Sequence, residues 1–429
     1  MEPLVFAILK SLTPKHIKCV LFDERLEEIS YDEQTDLVAM TVETFTAKRS
    51  YEIARIYRNR NIPVVMGGFH PTLMPEEVME HSDSIVKGDA EGIWPDLVKD
   101  AEKGELKRVY KSNVWPEISG IIPDRTIFEN KKYTPVHLLQ FSRGCRFNCD
   151  FCSIHSFYGH TLRQRRVQDL VEEINGLEKK HVFFADDNIF VNKKKASELL
   201  NALIPLKVKW SCQVSIDIVK NVRLLQLMKK SGCFSVLVGL ETLNENNLKQ
   251  MNKNWTSVKD YKKSLKQFKK HKIMVTGTFV IGYDYDTPDT FEKILNFAIK
   301  NKFFLSHFNP LMPTPGTGLY ERLDKEKRLL KTPWWLHPDY RYGQAMFVPK
   351  NMTPEQLEKG CYDIRTRFNS FYSIFKRALN FKSNLRNVFN IFIFFTANYI
   401  TRKEVSKKQG IAFGNSNVVR PGHLKNRKI

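Results

Sequence analysis

The 429-residue sequence predicts an α/β protein: an N-terminal Rossmann-like sheet that lacks its first strand, a partial (β/α)6 barrel, and an α-helical C-terminal extension. Three observations point there. Short apolar runs alternate with helix-period segments through the first hundred residues, the same alternation restarts at Val136 and continues to about Pro310, and the chain is too long for one ordinary core.

In the first alternation, Lys18–Phe22 reads as a short strand, Leu37–Val42 as a buried strand, and Ala47–Asn59 as a helix. Pro63–Met66 is a further strand ending in Gly67-Gly68, followed by a helix through Pro75–Glu80, the strand Ser84–Val86 and Gly88. This rhythm implies a parallel, doubly wound sheet with ligands at the carboxyl ends of its strands. The strand that normally opens such a sheet is missing, and the chain begins in what reads as the first helix, Pro3–Leu12. The expected domains are residues 1–105, a linker at 106–134, the barrel at 135–312, an aromatic and helical region at 313–400, and a basic tail at 401–429.

The barrel strands are expected at His137–Phe141, Val182–Ala185, Lys209–Val214, Ser235–Leu240, Val275–Ile281 and Leu305–Phe308. Helices fill the gaps at Val167–Leu177, Ala196–Leu203, Val222–Lys230, Tyr261–His271 and Thr290–Asn301. In such barrels chemistry sits on the loops that follow the strands.

Composition narrows the class. Hydrophobic residues make up 42% and charged ones 27%, values of a globular chain rather than a disordered or membrane-spanning one. The net charge of +21 favours polyanions in general and selects no partner, since Lys and Asn are abundant throughout. An odd count of seven cysteines without regular spacing argues against a secreted disulfide framework. The N-terminus has no basic n-region, and the apolar run Val388–Ala397 is too short to span a bilayer, so a cytoplasmic location is expected. The stretch Phe371–Tyr399, apolar among Lys and Arg, reads either as a helix packed on the barrel or as a peripheral membrane contact.

Three cysteines stand apart: Cys145, Cys149 and Cys152, spaced Cys-x3-Cys-x2-Cys directly after a barrel strand and preceded by Gly144. Thiolates are the soft ligands of iron–sulfur clusters, and three of them leave one iron of a 4Fe–4S cube open. A zinc site would want a fourth ligand, for which His155 is the nearby candidate, and purely structural cysteines are the remaining reading.

The motif resembles that of the radical S-adenosylmethionine (SAM) superfamily, and matching segments extend over most of the chain. The resemblance implies that Cys145, Cys149 and Cys152 hold the cluster, that its open iron chelates SAM, and that one-electron cleavage gives a deoxyadenosyl radical. Phe151 matches the aromatic bordering the adenine. Asp186, Asp187 and Asn188 follow the second strand, where contacts to the SAM amino group are implied, and Gln213 and Ser215 fall where ribose or carboxylate contacts do. Glu241, in Gly239-Leu240-Glu241-Thr242, and Gly282, closing Gly277–Gly282, complete the implied pocket.

The N-terminal domain is similar to the cobalamin-binding domain of one large subgroup, on Thr41 to Glu43, on Gly67, Gly68 and His70, and on Gly88 and Glu91. Glycines at strand ends let backbone approach a flat ring. The Asp-x-His-x-x-Gly pattern is absent, so His70 is expected to cap a helix or touch the corrin rim rather than ligate cobalt. Leu319–Leu323 and Pro333–Gly343 resemble the subgroup's C-terminal segment, whose aromatics either line a substrate mouth or pack as core. His307 reads as a core or cavity histidine.

The resemblance implies a cobalamin-dependent radical SAM methyltransferase acting at an unactivated carbon of a small or lipid-like substrate. Cyclisation or oxidation are variants within the subgroup, and an external flavodoxin- or ferredoxin-type donor is implied. A cobalamin-independent radical enzyme is the alternative. RNA methylthiolation is disfavoured because the first hundred residues contain only Cys19, and nucleic acid is not an expected partner.

Overall fold

The computed structural model describes residues 1–178 and 180–412. They form two compact units, Met1–Thr134 with Pro333–Arg341, and Pro135–Thr332 with Tyr342–Gly410. The basic run expected at 401–429 is described only to residue 412; the rest of it lies outside the described residues.

In the first unit the chain order is α1 (Leu4–Leu12), β1 (Val38–Thr41), α2 (Ala47–Arg58), β2 (Val64–Gly67), α3 (Phe69–Leu73), α4 (Pro75–His81), β3 (Ser84–Lys87), α5 (Trp94–Lys103) and β4 (Val109–Lys111). The strands pair in parallel in the order β1-β2-β3-β4, with Thr41 opposite Gly67. Among the described residues this order is sequential, so the reversal of a doubly wound sheet is not formed. Prolines in the first turns of α4 and α5 suit those starts, where a missing N–H costs nothing.

Two expectations fail here for physical reasons. Lys18–Phe22 is not a strand: it pairs with no neighbour, and its Leu21 is instead buried with Ala7 and Phe128. Residues 106–134 are not a free linker. Tyr110, Ile118 and Phe128 are buried, β4 extends the sheet, and Asp124 N–H donates to the Ala7 carbonyl. β1 is also only half-buried, with Ala39 and Thr41 exposed, as befits an edge strand.

The second unit contains β5 (His137–Leu139), β6 (Ser142–Arg143), α6 (Ser153–Tyr158), β7 (Arg163–Gln164), α7 (Val167–Asn175), β8 (His181–Phe184), α8 (Lys193–Leu206), β9 (Lys209–Val214), α9 (Val222–Lys230), β10 (Cys233–Glu241), α10 (Glu245–Gln250), α11 (Val258–Lys270), β11 (Met274–Ile281), α12 (Asp289–Lys300) and β12 (Leu305–Pro310). After them come α13 (Gly318–Lys325), α14 (Pro354–Phe368), α15 (Phe371–Ala378) and α16 (Val388–Lys408). Among the described residues the six long strands form one parallel sheet, β12-β11-β10-β9-β8-β5, the partial barrel. Period-two alternation sorts its faces. Phe184, Trp210, Cys212, Val214, Val236, Val238, Phe279 and Phe308 are buried in the helix-covered core, while Gln213, Gly239, Thr278, His307 and Asn309 lie on the other face and are less buried.

Residues 401–408, expected in the tail, belong to α16. The aromatics of Pro333–Arg341 pack within the first unit, where Trp335 Nε1 donates to the Glu77 carboxylate at 3.0 Å. Phe308 is fully buried, stacked on Phe279 and edge-on to Phe368. Phe308→Ala is therefore expected to lower the unfolding free energy by about 3–5 kcal/mol, read from urea denaturation followed by circular dichroism.

Candidate active site

The cysteine loop is framed by β6 and β7, which pair antiparallel and bring Gly144 against Thr161. A side chain at residue 144 would place its Cβ 2.0 Å from the Thr161 carbonyl oxygen, and φ there is +91°. Only glycine fits. The Gly144 N–H donates to Asp187 Oδ2 at 3.0 Å. Its neighbour Asp186 is buried and accepts from the backbone N–H groups of Phe141 and Ser142 and from the Ser142 hydroxyl. Burial outweighs those donors and pushes the Asp186 carboxyl up to about 7. The two adjacent carboxylates after β8 thus fix the entry of the loop, and Asp186 is engaged by that entry.

The residues between the cysteines tie the loop to other strand ends. Arg146 pairs with Asp217, just after β9, at 2.9 Å. Phe147 stacks on Trp255 with centroids 3.7 Å apart, and Trp255 Nε1 donates to the Ser215 hydroxyl at 3.3 Å. Asp150 accepts from the Tyr283 hydroxyl, just after β11, and pairs with Arg322 of α13 at 3.3 Å. Its backbone N–H donates to the Met251 carbonyl, and its carbonyl accepts from the Leu319 N–H. Sequence reasoning missed Arg146, Phe147, Asp150, Asp217, Lys253, Trp255 and Tyr283. The available signal was the charge and aromaticity of the intervening positions, which a mere spacer between ligands would not need.

Burial raises all three thiols, Cys149 to about 12 and Cys152 to about 11, and the neighbouring cysteines add to the rise at both. Opposing this, the Lys253 ammonium acts on Cys145 and Cys149, a backbone N–H of Phe147 faces Cys145, and those of Ile154 and His155 face Cys152. Such surroundings keep the groups as thiols, and a bound cationic centre is what would favour their ionised, metal-ligating form. The other three cysteines of the barrel unit, Cys212, Cys233 and Cys361, are buried in its core. Among the described residues no three His, Cys, Asp or Glu side chains, His155 included, close into a metal-holding group. The loop's three thiols are soft donors of the kind an iron–sulfur cluster takes.

Glu241, at the end of β10, faces this loop electrostatically. Its φ is +65°, a conformation that costs a non-glycine residue on the order of 1 kcal/mol or more. It is held by Lys253, whose ammonium donates to Glu241 Oε1 at 2.8 Å and to the Gly239 carbonyl at 2.7 Å. A Cβ at residue 239 would lie 2.1 Å from Glu241 Oε1, so the glycine two residues earlier is what lets the carboxylate fold back along the strand. Gln213 is exposed on the less buried face of β9 and Ser215 follows it. Asn188 is buried, its Oδ1 accepting from the Phe190 N–H at 3.2 Å. Gly282 N–H donates to Asp286, and the Phe151 ring lies edge-on to Tyr283. His307 lies on the same face as Gln213, and burial of its ring, then Lys408, hold it below the usual imidazole range.

In the first unit, Thr41, Glu43, Gly67, Gly68 and Gly88 sit at or just beyond the carboxyl ends of β1, β2 and β3, and Glu91 follows on the loop before α5. Thr72 joins two of these ends, its hydroxyl donating to the Gly68 carbonyl and accepting from the Gly88 N–H. The glycines let neighbouring groups approach closely: a Cβ at Gly68 would lie 3.0 Å from Thr41 Oγ1, and one at Gly88 3.4 Å from the Trp115 ring. His70 is fully buried. Nδ1 lies 3.3 Å from Thr44 Oγ1 and Nε2 lies 3.1 Å from both Tyr51 OH and Glu77 Oε1, so both ring nitrogens are engaged inside the unit. That arrangement leaves His70 no nitrogen for cobalt or for the corrin rim.

Two outcomes follow. Gly144→Ala must displace backbone at Thr161, and the iron affinity of the reconstituted protein is expected to fall about tenfold or more, measured by iron and sulfide content after gel filtration. Burial raises the half-buried Glu43 from the ordinary 4.5 to about 7. The folded state then binds the extra proton, so its contribution to stability declines as pH rises from about 4.5 to 7 and is constant above. Glu43→Gln is expected to flatten that part of the stability profile, measured by denaturation at a series of pH values.

Comparison with known proteins agrees with this geometry. Residues 139–298 match the Radical SAM superfamily, and residues 12–98 match the B12 binding domain. The chain is 30% identical over 414 residues to the bacteriochlorophyllide d C-12(1)-methyltransferase of Chlorobaculum tepidum, covering 94% of this chain and 89% of that one. It is 32% identical over 358 residues to the C-8(2)-methyltransferase of the same organism, covering 77% and 78%. Two solved structures share the fold. The radical SAM methyltransferase TsrM from Kitasatospora setae, with cobalamin and an iron–sulfur cluster bound, aligns with a TM-score of 0.56 at 16% identity, covering 76% of this chain and 74% of that one. The cobalamin-dependent enzyme OxsB aligns at 0.59 and 15% identity, covering 88% and 64%. The chain belongs to the radical SAM superfamily, in the subgroup of enzymes that join a cobalamin-binding domain to the barrel and work with SAM, a 4Fe–4S cluster and cobalamin.

Proposed function

We propose that this enzyme transfers a methyl group to an unactivated carbon of a small, lipophilic substrate. The observation that carries the reading is the cysteine loop, pinned at the carboxyl edge of the barrel beside Glu241, in a chain that aligns over most of its length with relatives named methyltransferases. Those relatives are named for bacteriochlorophyllide d, and a more distant one, 24% identical, for a hopanoid. A rigid, polycyclic, largely apolar molecule is the substrate class this favours.

When bound, the cluster with SAM supplies a hydrogen-abstracting radical, fed by an external flavodoxin- or ferredoxin-type donor, and cobalamin supplies the methyl group. The chain's own residues bind and orient. Cys145, Cys149 and Cys152 would hold three irons. Asp187 and Asn188 would meet the SAM amino group, with Asp186 serving them by fixing the loop entry. Gln213, Ser215 and Glu241 would meet its ribose and carboxylate, and Phe151 and Gly282 would border its adenine. In the first unit Thr41, Glu43, Gly67, Gly68, Gly88 and Glu91 would line the corrin, while His70 stays in the core. Residues on the less buried face of the sheet, His307 among them, would meet the substrate and keep water out.

A second reading, cyclisation or oxidation, has one observation in its favour. Two relatives, 26% and 27% identical, are named anaerobic magnesium-protoporphyrin IX monomethyl ester cyclases, although the chain spans only 62% of their length. Anaerobic reconstitution with hydroxocobalamin, SAM and a reductant, with tetrapyrrole and polycyclic lipid substrates, separates the two. A product heavier by one methylene supports methylation, and one lighter by hydrogens or carrying a new ring supports the alternative. Cys149→Ala is expected to cut SAM cleavage to deoxyadenosine more than about a hundredfold, with iron content reduced. Full cleavage by that variant would remove the cluster assignment.

A further inference from the structure

The helices α15 and α16 carry large apolar side chains on both their buried and their exposed faces. Several polar side chains face the protein: Arg377, fully buried, donates to the carbonyls of Phe303, Phe304 and Phe368 and to Asn398 Oδ1. Asn398 Nδ2 donates to the Phe304 carbonyl at 3.1 Å, and Asn390 Nδ2 to the Ser383 carbonyl at 2.7 Å. Ile374, Ala378 and Phe394 are buried against the barrel, yet a second set of large apolar side chains faces outward. Phe371, Phe375 and Leu379 follow one another at four-residue spacing along α15, Phe381 is 71% exposed in the connecting loop, and Val388 and Phe392 of α16 are 84% and 64% exposed. A helix on a water-facing surface keeps its outer face polar instead. The two outward rows adjoin, since the rings of Phe375 and Phe395 are 6.0 Å apart and Arg402 lies 4.3 Å over Phe371.

The charge of this segment is one-sided. Residues 364–403 contain eight Lys or Arg and no Asp or Glu. Lys376, Lys382 and Arg386 are exposed among the aromatics. No helix among the described residues is long and apolar enough to cross a membrane. We propose that α15, the connecting loop and the N-terminal half of α16 form an in-plane docking face for an anionic lipid bilayer, with the phenylalanines entering the headgroup boundary and the basic residues meeting lipid phosphates. A second copy fits this face worse. A two-fold interface would set Lys376, Lys382 and Arg386 near their own counterparts with no carboxylate from this segment between them.

The face also has a definite place in the barrel. Its buried side packs on Phe234, Met274 and Phe304, at the amino ends of β10, β11 and β12. The cysteine loop is at the carboxyl ends. Docking therefore leaves the reactive edge turned away from the bilayer, holding the enzyme where lipophilic substrates concentrate without covering the site. The proposal deepens the lipophilic-substrate reading above but is tested without any substrate.

The test is flotation of the full chain with vesicles of phosphatidylcholine alone or mixed with phosphatidylglycerol. Wild type is expected to float with the anionic vesicles and to be released by salt. The triple charge reversal K376E/K382E/R386E is expected to lose about a hundredfold in partitioning. F375S/F381S/F392S, which keeps every charge including those of residues 413–429, is expected to lose at least about tenfold. Both variants should retain wild-type SAM cleavage, which shows that they fold and that docking is separate from the chemistry. Failure of wild type to float, or equal flotation by both variants, overturns the proposal. So does concentration-dependent dimerisation of wild type that the phenylalanine variant abolishes, with no vesicle binding.

Discussion

The reactive end of the barrel unit depends on how one short loop is held. The segment from Gly144 to Cys152 has almost no secondary structure of its own, and its shape comes from its attachments to the barrel. Asp186 and Asp187 grip its entry, Asp217 and Trp255 hold its middle through Arg146 and Phe147, and Tyr283 and Arg322 hold Asp150. These attachments come from different strand ends, so the loop is positioned by the sheet as a whole. Three thiols raised by burial then share a small space with one ammonium, that of Lys253.

The pair formed by Lys253 and Glu241 shows what such interactions do. Both side chains are nearly buried, and a buried ion pair adds little net stability once desolvation is counted. Its effect is geometric. It keeps Glu241 in a left-handed conformation that Gly239 makes room for, and it places positive charge beside Cys149. Strain held at a strand end by a salt bridge is a feature of sites rather than of cores.

Much of this was legible in the sequence. The six barrel strands follow from runs of four to seven residues, and Lys209–Val214 and Val222–Lys230 coincide with their predicted bounds because each is flanked by clear turn or cap residues. The cysteines were found by their spacing, and Glu241 by the resemblance of Gly239-Leu240-Glu241-Thr242 to a family segment. What was not legible depended on partners distant in sequence. Lys18–Phe22 has the composition of a strand but no ladder to join. His70 carries the right chemistry for a ligand, yet Tyr51 and Glu77 claim its ring. The clamps at Arg146, Phe147 and Asp150 reach residues 71, 108 and 133 positions away, which local pattern cannot reveal. The apolar outer face of α15 and α16 was equally hidden, since their composition reads the same whichever face points inward.

The central claim is that this loop holds a cluster by three thiolates and leaves one iron open to SAM. It is tested most directly by electron paramagnetic resonance of the anaerobically reconstituted, dithionite-reduced enzyme, recorded before and after SAM is added. A signal typical of a reduced 4Fe–4S cluster whose g-values shift on addition of SAM is predicted. A cluster signal indifferent to SAM, or a reconstituted protein that binds zinc and no iron, would contradict it.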